Sequence, residues 1–160
     1  MKILVTGGAG FIGSHLCEEL IRQKRSVVCV DNFNDYYNPL IKRKNIENLL
    51  FQDGFDLIET DILDFTAMKK IYQKHSFTAI VHLAARAGVR PSIQQPLLYE
   101  EVNVKGTMNL LELSRQFKVP KFILASSSSV YGTNKRCHLM NRIMLITRCP
   151  LMQQPKRHAN

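Results

Sequence analysis

Apolar and polar positions follow one another along this chain in a repeating order of short runs and longer periodic stretches. Ile3-Leu4-Val5 is a brief apolar run that ends in a glycine-dense turn. From Phe11 to Lys24 apolar residues recur at 12, 16, 20 and 21, which is helical spacing. Ser26-Val27-Val28-Cys29-Val30-Asp31 is a β-branched run closed by a carboxylate and predicts a strand. Asn32 to Asn38 is polar and turn-rich, and Pro39 is placed to open a basic helix through about Leu50. A third strand is expected over 56–60, closed by Asp61. Asp64 is the expected N-cap of a helix to about Lys74. Thr78 to Leu83 predicts the fourth strand, a loop holding Pro91 and Pro96 follows, and a long helix is expected from roughly Leu97 to Phe117. Lys121 to Ala125 predicts the fifth strand, which runs into Ser126-Ser127-Ser128-Ser129. Strands alternating with helices at this spacing imply right-handed βαβ crossovers. The expected fold is α/β, a doubly wound parallel sheet of strand order 3-2-1-4-5. Its ligand crevice should lie at the carboxyl ends of the strands, where the order reverses.

The glycine-dense turn sits at that crevice. Gly7, Gly10 and Gly13 stand three apart, and Gly8-x-Gly10-x-x-Gly13 fits the dinucleotide-binding fingerprint of a Rossmann fold, with a strand before it and a helix after it. One glycine permits the tight turn, one lets backbone approach a pyrophosphate, and one lets helix pack on strand. The helix N-terminus offers unpaired N–H groups to phosphates. Asp31, eighteen residues past Gly13, is placed to accept hydrogen bonds from both adenosine ribose hydroxyls and to repel a 2′-phosphate. Asn32 follows it rather than Arg or Lys, which favours NAD over NADP. Asp61-Ile62 suits the adenine, although a helix-capping turn accounts for the same pair. Leu83-Ala84-Ala85 permits close cofactor approach at the switch point, and simple tight packing would use the same residues. Arg86 and Arg90 follow in a loop over the crevice, positioned for phosphate or carboxylate or simply solvated.

Bulk properties narrow the classes. At 160 residues the chain is one domain long. No apolar run approaches eighteen residues and no signal-peptide pattern opens the chain, so a soluble, cytoplasmic protein is expected, with no membrane partner. Four cysteines form no CxxC pair, and Cys17 and Cys29 read as small core residues. The net charge of +9 suggests nucleic acid, but its distribution argues otherwise: residues 133–160 hold six basic residues and no acid, and the body is ordinary. A basic nucleic-acid or membrane arm, and a zinc site from Cys137, His138, Cys149 and His158, are the competing uses of that tail. No nucleic-acid partner and no metal are expected.

In combination, several stretches resemble the NAD-dependent epimerase/dehydratase family of extended short-chain dehydrogenase/reductases. These are Thr6 to His15, Asp31-Asn32-Phe33-Asn34, Asp61-Ile62, His82-Leu83-Ala84-Ala85, Asn103-Val104-Lys105-Gly106-Thr107 and Ser126 to Gly132. Asp31 to Tyr37 and Ala87-Gly88-Val89-Arg90-Pro91-Ser92 look most like UDP-glucuronate 4-epimerases, with UDP-glucose 4-epimerases as the nearest relatives. The resemblance covers residues 1 to about 135. It implies that NAD oxidises the sugar of a UDP-sugar at C4, the keto sugar turns over, and hydride returns to the other face. It also implies cofactor contacts from Gly7, Gly10, Phe11, Ile12, Gly13, Asp31, Asn32, Asp61, Ile62, Leu83, Ala84, Ala85 and Asn103. Ser127 becomes the catalytic serine, Arg90 a candidate for the substrate carboxylate, and Ser127 and Ser128 substrate contacts. Family members form homodimers, through helices partly absent here. A dehydratase or decarboxylase acting on the same sugar nucleotides, and a regulatory NAD-binding module without catalysis, stand as alternatives.

One element of the family pattern is missing. The family places a Tyr-x-x-x-Lys pair on a helix some two dozen residues past the serine, and here no tyrosine follows Tyr131. Tyr131-Gly132-Thr133-Asn134-Lys135 meets the bare spacing but stands only four residues from Ser127, beside a glycine, and belongs to the Val-Tyr-Gly turn. The genetic code offers a reason. Leu151 to Lys156 can be encoded CTT-ATG-CAG-CAA-CCA-AAA; read from the last base of the Leu codon this gives Tyr-Ala-Ala-Thr-Lys, about 25 residues past Ser127. The expectation is therefore an NAD-binding Rossmann domain over 1–135 and an aberrant basic, disordered tail over 136–160, out of frame from about residue 136. The general acid/base and the C-terminal sugar-binding lobe are missing, so the sheet is partial and the chain is expected to be inactive.

Overall fold

Among the described residues five parallel strands form the sheet: β1 (Lys2–Thr6), β2 (Ser26–Asp31), β3 (Phe55–Glu59), β4 (Phe77–His82) and β5 (Phe122–Leu124). They stand in the order β3-β2-β1-β4-β5, so the direction of winding reverses beside β1, as expected. A computed structural model describes residues 1–127, in which residues 1–124 form one body and 125–127 belong to another. The tail over 136–160, Tyr131 and the Cys137, His138, Cys149 and His158 group lie outside the described residues.

Side-chain alternation in the strands sorts the core into two layers. Leu4, Val28, Val30 and Ile80 face one side, where α3 (Phe65–Lys74) and α6 (Gly106–Gln116) bring Met68, Ile71, Tyr72, Leu110 and Leu113. Val5, Val27 and Cys29 face the other, where α1 (Phe11–Arg22) and α2 (Pro39–Ile46) bring Cys17 and Ile46. With both faces covered, the central strands must be apolar throughout, and Leu4, Val5, Val27, Val28 and Ile80 are wholly buried. Cys17 and Cys29 are buried free thiols, the core residues expected. Helix starts follow local chemistry. Asn38 accepts from the Leu40 N–H with Pro39 in the first helical position, and Asp64 accepts from the Ala67 N–H at 2.9 Å.

Two expectations need correction. The loop around Pro91 and Pro96 contains α4 (Val89–Gln94), and α5 (Pro96–Glu100) begins on the second proline. Each proline lies in a first helical turn, where a missing N–H costs nothing because no intrahelical acceptor exists for it. The long helix is also not continuous: a π-turn, Glu101–Lys105, separates α5 from α6. It coincides with two tertiary anchors, the Asn103 amide on the Arg86 backbone and Gly106 against Ile62. A Cβ on Gly106 would stand 2.5 Å from the Ile62 Cδ1. Among the described residues no helix is long and apolar enough to cross a membrane.

Candidate functional site

The glycine turn joins β1 to α1 and is stitched to both neighbouring strands. The Gly7 N–H donates to the Val30 carbonyl at 2.7 Å, and the Leu83 N–H donates to the Thr6 carbonyl at 3.1 Å. Gly7 has a φ of +69°, and a Cβ there would lie 2.7 Å from the Ala84 nitrogen. The turn and the end of β4 can therefore approach only across a residue without a side chain. Gly13 does the same one helical turn later, where a Cβ would run into the Gly7 carbonyl and crowd the Gly8 Cα at 2.7 Å. Among the described residues no side chain caps α1, so the N–H groups of its first turn retain their partial positive charge.

Beside this turn, Asp31 ends β2 and opens a loop built by short polar side chains. Asp31 Oδ1 accepts from the Phe33 N–H, Asn32 Oδ1 from the Asn34 N–H, and Asn34 Oδ1 from the Tyr36 N–H. Each bonds two residues ahead, which is why this polar run folds as a fixed loop. The ladder holds Phe33 at φ +48° with its ring buried. Asp31 is only 6% exposed. Its Oδ2 accepts from the Ala9 N–H at 3.2 Å, and its Oδ1 lies 3.6 Å from the Lys42 ammonium. A carboxylate has about four lone-pair positions, so acceptor capacity remains for a ligand hydroxyl. Asn32 in turn donates to Asp61 Oδ2 at 2.7 Å, while Asp61 Oδ1 accepts from the Leu63 N–H.

The far wall rests on a buried polar chain. His82 is 2% exposed and its ring nitrogens meet Thr6 Oγ1 at 2.7 Å and Thr107 Oγ1 at 2.9 Å. Thr107 spends its proton on the Asn103 carbonyl at 2.6 Å, so it accepts from His82 Nε2–H, and His82 Nδ1 accepts the Thr6 hydroxyl. Burial alone lowers the His82 pKa from its ordinary 6.5 to about 4. The Asn103 amide accepts from the Arg86 N–H at 2.8 Å and donates to the Arg86 carbonyl at 2.9 Å. At the rim, the Tyr36 and Tyr99 hydroxyls both donate to the Ala87 carbonyl, at 2.6 and 2.5 Å. The Arg86 guanidinium lies over both rings.

Gly7, Gly10, Asp31, Asn32, Asp61, Ile62, Leu83, Ala84 and Ala85 line one crevice at the carboxyl ends of the strands. A family model described as GDP-mannose 4,6 dehydratase matches residues 4–144. The chain belongs to the NAD-dependent epimerase/dehydratase family. Among its relatives, the UDP-glucuronate 4-epimerase of Thermodesulfobacterium geofontis is 45% identical over 129 residues, 81% of this chain and 40% of that protein. Protein CapI of Staphylococcus aureus is 43% identical over 84% of this chain and 40% of its own length. In structure, the UDP-glucuronic acid 4-epimerase of Bacillus cereus, in complex with UDP-glucuronic acid and NAD, matches with a TM-score of 0.78 and 40% identity. That match covers 90% of this chain and 45% of the other. The chain thus spans less than half the length of these epimerase/dehydratase relatives.

The remaining family positions fall elsewhere. Phe11, Ile12 and Gly13 form the first turn of α1, with Phe11 and Ile12 exposed at the crevice's glycine end. Asn103 is not among the lining residues; its amide is committed to the Arg86 backbone. Arg90 is exposed on α4 and outside the lining. Ser127 is exposed and lies outside the body formed by residues 1–124, and Ser128 lies outside the described residues. Sequence reasoning missed Lys42 and Tyr37, which also line the crevice. Lys42 is 6% exposed, donates to Asn34 Oδ1 at 3.1 Å and stands 5.2 Å from the centre of the Tyr37 ring. A signal existed: Lys42 and Ile46 are four apart, on the buried face of α2.

Proposed function

We propose that this chain carries the NAD-holding part of a nucleotide-sugar 4-epimerase of the UDP-glucuronate/UDP-glucose type. One observation carries the reading: a crevice at the switch point lined by the glycine turn at Gly7 and Gly10 and by the buried carboxylate of Asp31, which has acceptor capacity left. The residues present fit a dinucleotide. Asp31 takes the adenosine ribose, Asp61 and Ile62 take the adenine, and the first turn of α1 at Gly10, Phe11, Ile12 and Gly13 faces the pyrophosphate. Leu83, Ala84 and Ala85 take the nicotinamide side, with Asn103 acting through the Arg86 loop. Bound there, NAD supplies a hydride acceptor for sugar oxidation. Ser127 is assigned to the proton work, and Arg90 and Ser128 to the substrate. The setting is cytoplasmic, in keeping with two buried free thiols.

These 160 residues by themselves do not turn over a sugar nucleotide. A single acid–base group is worth about 10²–10⁴ in rate, and no tyrosine follows Tyr131 to supply the family's pair some two dozen residues past Ser127. Residues 136–160 read as a shifted frame. Resequencing from about codon 130 should reveal one inserted or deleted base ahead of a Tyr-Ala-Ala-Thr-Lys frame; an alternative frame soon closed by stops would make the tail genuine. A nucleotide-sugar dehydratase is the second reading, favoured by the reaction named in the description of the matching family model. A homodimer is proposed through the exposed stripe Leu97, Val104, Met108 and Leu111 on α5, the π-turn and α6. The functional test is calorimetric titration of the purified chain with NAD and NADP, followed by incubation with UDP-glucuronate. Saturable NAD binding without turnover is expected; absence of NAD binding by the folded chain would overturn the reading.

A further inference from the structure

The Tyr37 hydroxyl is shut off from solvent and has no hydrogen-bond partner among the described residues. Such a group destabilises a ligand-free protein unless a ligand completes it. No neighbour completes it. Asp31 accepts from the Ala9 and Phe33 N–H groups, and neither of its oxygens is hydrogen-bonded to Tyr37. Tyr36, the other tyrosine lining the crevice, points its hydroxyl to the Ala87 carbonyl instead. Tyr37 lines the crevice, and its hydroxyl lies 3.8 Å from where a Cβ on Gly10 would stand. That places it at the cap of α1, where backbone N–H groups and the helix dipole favour an anion.

We propose that the Tyr37 hydroxyl is a cofactor-binding group that donates a hydrogen bond to a pyrophosphate oxygen of a dinucleotide lying across the Gly10 turn. The assignment rests on the NAD reading above. Burial, and then the Asp31 charge, raise the Tyr37 pKa, so the group stays protonated and acts as a donor to an anionic oxygen. Lys42 stands over the ring, 5.2 Å from its centre, and helps to hold it in place.

Tyr37→Phe tests it, because the substitution keeps the ring and removes only the donor. Melting of the ligand-free variant should be unchanged or higher than wild type, since an unsatisfied hydroxyl has been deleted. NAD affinity should fall about ten- to a hundredfold, the range for a hydrogen bond to a charged acceptor. ADP affinity should fall equally and adenosine affinity should not move. Wild-type affinity for NAD in the variant would overturn the assignment, as would an equal loss for adenosine, which would put the hydroxyl on the nucleoside. A folded wild-type chain that binds no NAD would overturn the NAD reading with it, so the two failures are distinguishable.

Discussion

Acid should unfold this domain through one buried ring. His82 closes β4 with both nitrogens committed to threonine hydroxyls, so a second ring proton has no acceptor waiting for it. In the folded chain burial holds its pKa at about 4; in the unfolded chain it returns to about 6.5. The sign follows from those two values. Above pH 6.5 neither state binds the proton and the neutral ring's contribution is fully present. Between 6.5 and 4 the unfolded state takes up a proton that the folded state refuses, so stability is lost as pH falls, and below 4 His82 adds no further loss. At about 1.4 kcal/mol per pH unit, the gap between 6.5 and about 4 amounts to about 3 kcal/mol. That is a large share of the roughly 5–15 kcal/mol typical of a domain. His82→Gln offers a donor and an acceptor in similar places without titrating. Urea unfolding followed by circular dichroism at stepped pH from 7 to 4 should show the wild type losing about 3 kcal/mol more than the variant. His75, whose pKa burial and Lys2 lower, and Glu19 and Glu112, held at about 2 by Arg22 and Arg115, are common to both proteins and cancel in the difference. Parallel pH curves for the two proteins would refute the argument.

Three further outcomes are expected. Gly7→Ala forces a Cβ to within 2.7 Å of the Ala84 nitrogen at a φ of +69°, so it should abolish NAD binding in calorimetry and lower the melting temperature. Lys42→Met leaves the buried Asp31 carboxylate without its cation and should cost about 3–5 kcal/mol in urea unfolding; Asp31→Asn added to it should restore part of that loss. Asn103→Ala strands the Arg86 N–H and carbonyl together and should destabilise by about 1–3 kcal/mol, with faster amide exchange confined to the Arg86–Ala87 segment.

The fold was legible where one local rule acts on a whole element. The five strands, their order and the Asp64 cap follow from apolar runs, spacing and a single carboxylate. The glycines at 7 and 13 were legible because their constraint is steric and immediate. What escaped depends on partners distant in the chain. The π-turn at Glu101–Lys105 goes with an amide that grips Arg86 and a glycine that admits Ile62, and no helical periodicity encodes either contact. Lys42 escaped because charge alone assigns a lysine to the surface, whereas Ile46 and Leu49 anchor α2 so that position 42 turns inward toward Asp31. The Asn103 amide grips the Arg86 backbone, a contact between residues far apart in the chain that no local pattern encodes.

The Ala87 carbonyl joins three parts of the chain that have no sequence proximity. One oxygen receives hydroxyls from the loop after β2 and from α5, and it sits itself on the loop after β4. Parting the rim on one side breaks one bond and leaves the other hydroxyl seated on that oxygen, so the rim should open in two steps and stay tied between them. A molecule held beneath would then leave only after both, with a dwell time set by the slower rupture.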